Sequence, residues 1–182
     1  MVPNSRHNSN IVVLEKPKSS VSESFRALRN STTHILNSDF RDSSKIIGVT
    51  SSIGGEGKTF TAINLAAVYS MGDESVLLIG ADMRKPKIFN DFGLTNDKGL
   101  SDYLSGIHDL DECIMPTVYP NLTVLSGGTI PPNPSELLKS QKFADLLNEL
   151  RSKYDKIIID TPPVGLVSDA MQMMATVDYF LF

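Results

Sequence analysis

Five short stretches of the chain are apolar at nearly every position: 45–50 (KIIGVT), 75–80 (SVLLIG), 121–125 (NLTVL), 156–160 (KIIID) and 177–182 (VDYFLF). Short runs rich in Ile, Val and Leu, with no polar alternation, read as strands covered on both faces, as in a parallel sheet. Between them apolar residues recur at helical spacing, which predicts helices over about 58–71, 99–105, 135–152 and 169–175. In the longest, Leu137, Leu138, Phe143, Leu146, Leu147 and Leu150 fall broadly on one side. Ahead of the first strand, Val21, Phe25, Leu28, Thr32, Ile35 and Leu36 keep the same period. Ser20 and Glu23 make an S-x-x-E capping box there, so that helix is expected to start at Ser20. Residues 1–19 are polar, contain two prolines and read as an extended or mobile arm. Strand and helix then alternate, which predicts one α/β domain over 20–182: a doubly wound, mostly parallel sheet with helices on both faces. Ligands of such sheets bind at the C-terminal strand ends.

Composition narrows the class. A chain of 182 residues, 41% hydrophobic and 21% charged, suits one soluble domain with a real core. Net charge is −4 and no long basic stretch occurs, which argues against a nucleic-acid partner. The one cysteine, Cys113, cannot form an internal disulfide and suits a reducing cytoplasm. No apolar run approaches the roughly 20 residues of a membrane span. The opening MVPNSRHNSN is too polar for a signal peptide. The last predicted strand ends with the sequence at Phe182, and a bare edge strand is a poor terminus, so the natural protein is expected to continue.

The chemistry concentrates after the first strand, in SSIGGEGKT, Ser51 to Thr59. A strand that turns sharply into a helix aims several backbone N–H groups at one point, and the helix start adds partial positive charge. Glycines at 54, 55 and 57 let the backbone close around an anion. Lys58 can reach β- and γ-phosphates and the Thr59 hydroxyl can ligate Mg²⁺. The expected nucleotide contacts are Gly54, Gly55, Glu56, Gly57, Lys58, Thr59 and Phe60, with ATP and Mg²⁺ as the cofactors. The pattern G-x-x-x-x-G-K-[ST] is met except at Ser52, which takes the first glycine position. A glycine-rich turn without a ligand is the bland alternative.

Two further strands end in carboxylates. Asp160 closes IIID and Asp82 lies just past VLLIG, with Arg84 two residues on. One or two carboxylates plus phosphates suffice for Mg²⁺, so Thr59, Asp82 and Asp160 are the candidate metal ligands, and Lys58, Asp82, Arg84 and Asp160 the candidate catalytic set. The alternatives are a turn residue for Asp160, before Thr-Pro-Pro, and an ordinary loop carboxylate for Asp82. Asp169 reads chiefly as a helix N-cap.

Together the phosphate loop, LLIGADMRKP, SGGTIPPNPSELL and IIIDTPPVGLVSDA resemble the bacterial tyrosine kinases, the cytoplasmic domains of polysaccharide co-polymerases. The resemblance runs from about residue 20 to the end. It implies a P-loop fold, ATP- and Mg²⁺-dependent tyrosine autophosphorylation, and control of capsule and exopolysaccharide chain length and export. It also implies a membrane anchor in the full-length protein, at the cytoplasmic face of the inner membrane. The family's E-x-x-R-x-x-R is matched by Glu23, Arg26 and Arg29 in ESFRALR, on a helix that meets the next subunit of a ring. Read from the residues alone, Glu23 closes the capping box and Arg26 pairs with it.

Three positions depart from the family pattern. The family's D-x-D-x-R becomes G-x-D-x-R, with Gly80 in place of the first Asp. Ser52 replaces a loop glycine. The tyrosine cluster of the family's tail, which neighbouring subunits phosphorylate, is not present, and Tyr69, Tyr103, Tyr119, Tyr154 and Tyr179 are scattered. The leading expectation is a tyrosine kinase domain, slowed by Gly80. The second is a nucleotide-gated ring-assembly module with little chemistry. The third, a positioning or partition ATPase, is opposed by Ile53, which stands where those proteins carry a signature lysine.

Overall fold

The computed structural model describes residues 10–37, 44–163 and 176–182. Its elements, in chain order, begin with α1 (Val12–Glu15), α2 (Ser20–Asn37), β1 (Lys45–Val49), α3 (Lys58–Ser70), β2 (Val76–Gly80) and α4 (Ile88–Asp91). They continue through α5 (Leu100–Leu104), α6 (Leu110–Cys113), β3 (Ile114–Pro116), β4 (Leu122–Leu125), α7 (Pro134–Lys139), α8 (Gln141–Leu150), β5 (Lys156–Asp160) and β6 (Tyr179–Leu181). The strands form one sheet in the order β3-β4-β2-β5-β1-β6. Every pairing is parallel except β3 with β4. This is the expected doubly wound α/β sheet, with an antiparallel edge strand that the apolar pattern did not reveal.

Each central strand feeds two cores, because successive side chains point to opposite faces. Ile47, Val49, Val76, Leu78 and Ile158 pack with α1, α2 and α3. Ile46, Leu77, Ile79, Ile157 and Ile159 pack with α5, α6 and α8. Both faces are dry, which explains why the strands read as unbroken apolar runs.

Four expectations need correction. Residues 10–19 are not an extended arm: Ile11 and Val13 are fully buried, and α1 rests on α3. Its anchor is Asn64, a wholly buried side chain of α3 that accepts from the Val13 N–H and donates to the Asn10 and Phe60 carbonyls. Residues 1–9 lie outside the described residues. Second, the cap of α2 is Ser19, whose Oγ accepts from the Ser22 N–H at 3.2 Å, so no box forms from Ser20 and Glu23. Of two adjacent serines, the one preceding the helix can cap it. Third, the helix predicted over 135–152 breaks at Ser140, which is extended and caps α8 through the Phe143 N–H. Fourth, the short α4 and α6 were not foreseen, since a single turn shows no period. The helix expected over 169–175, with Asp169, lies outside the described residues.

Candidate active site

The strand ends β1, β2 and β5 converge on the start of α3. Asp160 ends the central strand β5 in register with Val49 of β1 and Gly80 of β2. The loop from β1 reaches α3 through Gly55 (φ 91°) and Gly57 (φ 90°), left-handed conformations that favour glycine. A Cβ at Gly54, Gly55 or Gly57 would meet nothing within 4 Å, so the space before the loop is open. Gly57 caps α3 from this conformation, leaving the first amides of the helix directed at that space.

Lys58 and Thr59, the first residues of α3, turn to the strand ends. Lys58 Nζ lies 3.1 Å from Asp160 Oδ1 and 3.6 Å from Asp82 Oδ2. Thr59 Oγ1 donates to Asp160 Oδ2 at 2.8 Å. The Asp160 carboxylate is almost completely buried, and that burial pushes its pKa up, opposed by the Lys58 charge and the Thr59 hydrogen bond. A desolvated carboxylate held by one lysine and one hydroxyl favours added positive charge. Two carboxylates and a hydroxyl within a few ångströms are hard oxygen donors, and they fit Mg²⁺ whose remaining positions are phosphate and water.

A cavity of about 460 Å³ is lined by Gly54, Gly55, Gly57, Lys58, Thr59, Phe60 and Asp82 among others, while Asp160 lies behind Lys58 and Thr59 and is not part of the lining. Six of the seven expected nucleotide contacts therefore share it. Glu56 does not: its carboxylate folds back to accept the Ile53 N–H at 3.2 Å. Arg84 also turns away, donating to Ser135 Oγ at 2.8 Å and tying the loop after β2 to α7. The lining contains residues that sequence reasoning missed: Asn10, Lys85, Lys87 and Asp91. Asp91 Oδ1 accepts from the Asn10 backbone N–H and side chain. Lys85 and Lys87 follow Asp82 in the same loop, whereas Asn10 reaches the cavity only because the N-terminal segment docks there, hydrogen-bonded to Asp91.

Gly80 is not among the lining residues of this cavity. It shares the Asp160 face of the sheet, but a Cβ on it would lie 3.2 Å from the Gly127 amide nitrogen and 3.4 Å from Ile88 Cδ1. A carboxylate at 80 would therefore share a face with Asp160 but meet close neighbours there. On α2, Arg26 pairs with Glu23 at 2.5 Å and donates to the Pro17 carbonyl, while Arg29 donates to Val68 O in the last turn of α3. Tyr69 is fully buried, its hydroxyl hydrogen-bonded to Thr32. Among the described residues no helix is long and apolar enough to cross a membrane.

Comparison with known proteins gives this geometry its relatives. A family model described as an AAA domain matches residues 44–182. The tyrosine-protein kinase YwqD of Bacillus subtilis is 39% identical over 166 residues, covering 91% of this chain and 69% of that protein. The tyrosine-protein kinase Wzc of Salmonella typhi is 40% identical over 162 residues, which are only 22% of its length. The kinase domain of the Escherichia coli tyrosine kinase ETK superposes with a TM-score of 0.86 at 36% identity, covering 93% of this chain and 66% of that one. MinD of Pyrococcus horikoshii, solved with Mg-ADP, is a more distant likeness, with a TM-score of 0.65, 28% identity and 75% of this chain covered. Identity near 40% along nine-tenths of the chain, with a superposable fold, places this protein in the family of bacterial tyrosine kinases.

Proposed function

We propose that this domain transfers the γ-phosphoryl group of ATP to tyrosine hydroxyls of its own protein, within a system that controls capsular or exopolysaccharide synthesis and export. The observation that carries the reading is the convergence of Lys58, Thr59, Asp82 and Asp160 at the mouth of a glycine loop. The phenolic oxygen forms a bond to the γ-phosphorus, the bond from that phosphorus to the β–γ bridging oxygen breaks, ADP leaves and the phenolic proton passes to solvent. Such loose transfers need mostly positioning and charge stabilisation. The backbone amides of 54–57 hold the phosphates, and Lys58 neutralises charge on the transferred group. Thr59, Asp82 and Asp160 would hold Mg²⁺, which supplies charge neutralisation between the phosphates. Arg84, bonded to Ser135, acts as a support of the Asp82 loop.

In this reading the full-length protein works at the cytoplasmic face of the bacterial inner membrane, joined to a membrane anchor. Glu23, Arg26 and Arg29 would attach neighbouring subunits of a ring, which present tyrosine-bearing tails to one another. A nucleotide-gated assembly module with weak chemistry is the second reading, favoured by the crowded surroundings of Gly80.

Incubating the full-length protein with Mg-ATP and blotting for phosphotyrosine tests the proposal. Wild type should accumulate phosphotyrosine, and Lys58→Met should not. Equal signal from both would overturn the role of Lys58. ATP binding by wild type without phosphotyrosine would favour the assembly module.

A further inference from the structure

The phosphate chemistry leaves one lobe of the cavity unexplained. Its lining includes Lys85, Lys87, Asp91, Phe60 and Asn10, the last hydrogen-bonded to Asp91. Lys58 is engaged by two carboxylates, and the Asp91 carboxylate accepts from the neutral Asn10. Lys85 and Lys87 are exposed, and among the described residues neither ammonium group has an ion pair or hydrogen bond. Two unpaired cations at the rim of one cavity stand out in a chain of net charge −4.

Their presentation is fixed. Pro86, between them, restricts its own φ and disfavours a helical Lys85. Its ring would lie 3.0 Å from a Cβ on Gly127, so the turn is seated on the loop after β4. The Lys85 N–H points to Asp82 Oδ1 at 3.4 Å. Arg84, the third cation of the run, is directed instead to Ser135. The lysine pair is thus held next to Asp82, the more distant of the two carboxylates that engage Lys58. Phe60, half-buried and edge-on to Phe25 at 5.9 Å between ring centres, adds an aromatic ring to the same lining.

We propose that this lobe is the acceptor site and that it takes a peptide whose tyrosine is flanked by carboxylates. The phenol ring lies against Phe60, and Glu or Asp side chains next to the tyrosine pair with Lys85 and Lys87. The inference rests on the kinase reading of the same cavity and adds the class of substrate. Charged contacts at a solvated rim act mainly on encounter and selection, and they weaken with salt.

The test uses the full-length protein with three synthetic peptides that differ only beside one tyrosine, carrying paired Glu, Gln or Lys. Phosphorylation is followed with Mg-ATP, and binding by fluorescence anisotropy with a non-hydrolysable ATP analogue and Mg²⁺. The Glu peptide should show kcat/KM about three- to tenfold above the Gln peptide, as two exposed ion pairs allow. The gap should close at about 0.5 M NaCl. In the Lys85→Glu/Lys87→Glu variant the order should reverse in favour of the Lys peptide, with the three peptides compared at saturating Mg-ATP so that a change in nucleotide affinity does not enter the ratio. Equal use and equal binding of all three peptides by wild type would overturn the proposal. So would a variant that keeps the Glu preference while its KM for ATP rises, since the lysines would then serve the nucleotide. Charge-selective binding without phosphorylation of any peptide would uphold the acidic-peptide site and count against the kinase reading alone.

Discussion

Gly80 and Asp160 are register partners on adjacent parallel strands, so a side chain at 80 would share a face with the buried carboxylate. The room there is taken by the Gly127 amide and the Ile88 methyl. Gly80→Ala should therefore cost about 1 kcal/mol through overpacking, read from urea denaturation midpoints. Gly80→Asp should cost as much while keeping ATP affinity within a few-fold. If a carboxylate at this place assists transfer, Gly80→Asp autophosphorylates faster than wild type, and combining it with Ile88→Ala, which opens the space, raises the rate again. A folded, ATP-binding Gly80→Asp protein no faster than wild type in either background would remove Gly80 as a cause of slow chemistry.

Asn64 joins three backbone groups from two segments through a side chain that is itself fully buried. Asn64→Ala removes the partner of the buried Val13 N–H and of the Asn10 carbonyl and should destabilise the domain by about 2–3 kcal/mol. Because Asn10 lines the cavity, the same change should loosen the nucleotide site, so Mg-ATP should protect the variant from proteolysis near residue 10 less well than wild type. Unaltered stability would mean that 10–16 is not held by Asn64.

Asp155 clamps the starts of β5 and β2, accepting from the N–H and hydroxyl of Ser75 at 2.8 Å each. Those hydrogen bonds hold its pKa below the ordinary carboxylate value, the backbone donor contributing most. A depressed carboxyl gives stability that is present above its unfolded pKa of about 4 and is lost as pH falls through the folded value. Asp155→Asn should be less stable than wild type at pH 7, and the gap should narrow progressively below about pH 4. Urea midpoints across that range decide it, and a constant gap would show that the proton does not matter there.

Arg29 reaches across to Val68 O, one of the unpaired carbonyls that end α3. Its loss should cost about 1 kcal/mol within the subunit, separately from any contact between subunits. Light scattering of the full-length protein with Glu23, Arg26 and Arg29 all changed to Ala should show a folded monomer where wild type forms a ring. A ring of unchanged mass would confine these three residues to the contacts within their own chain.

What the sequence by itself determined is local. Unbroken apolar runs mark strands buried on both faces, and Gly-Lys-Thr after the first of them marks the phosphate loop, because that chemistry needs left-handed backbone at Gly55 and Gly57 and a cation beside it. Asp160 was legible for the same reason, as the carboxylate ending a run of isoleucines. Tertiary structure alone decided which distant groups meet. It sends Arg84 to Ser135, and it fills the place beside Gly80 with Ile88 and Gly127. It also carries Asn10 to the cavity rim, through a buried asparagine 54 positions away whose helical period says nothing of its partners. Side-chain direction and available volume depend on what packs from the other elements, and no spacing along one element encodes them.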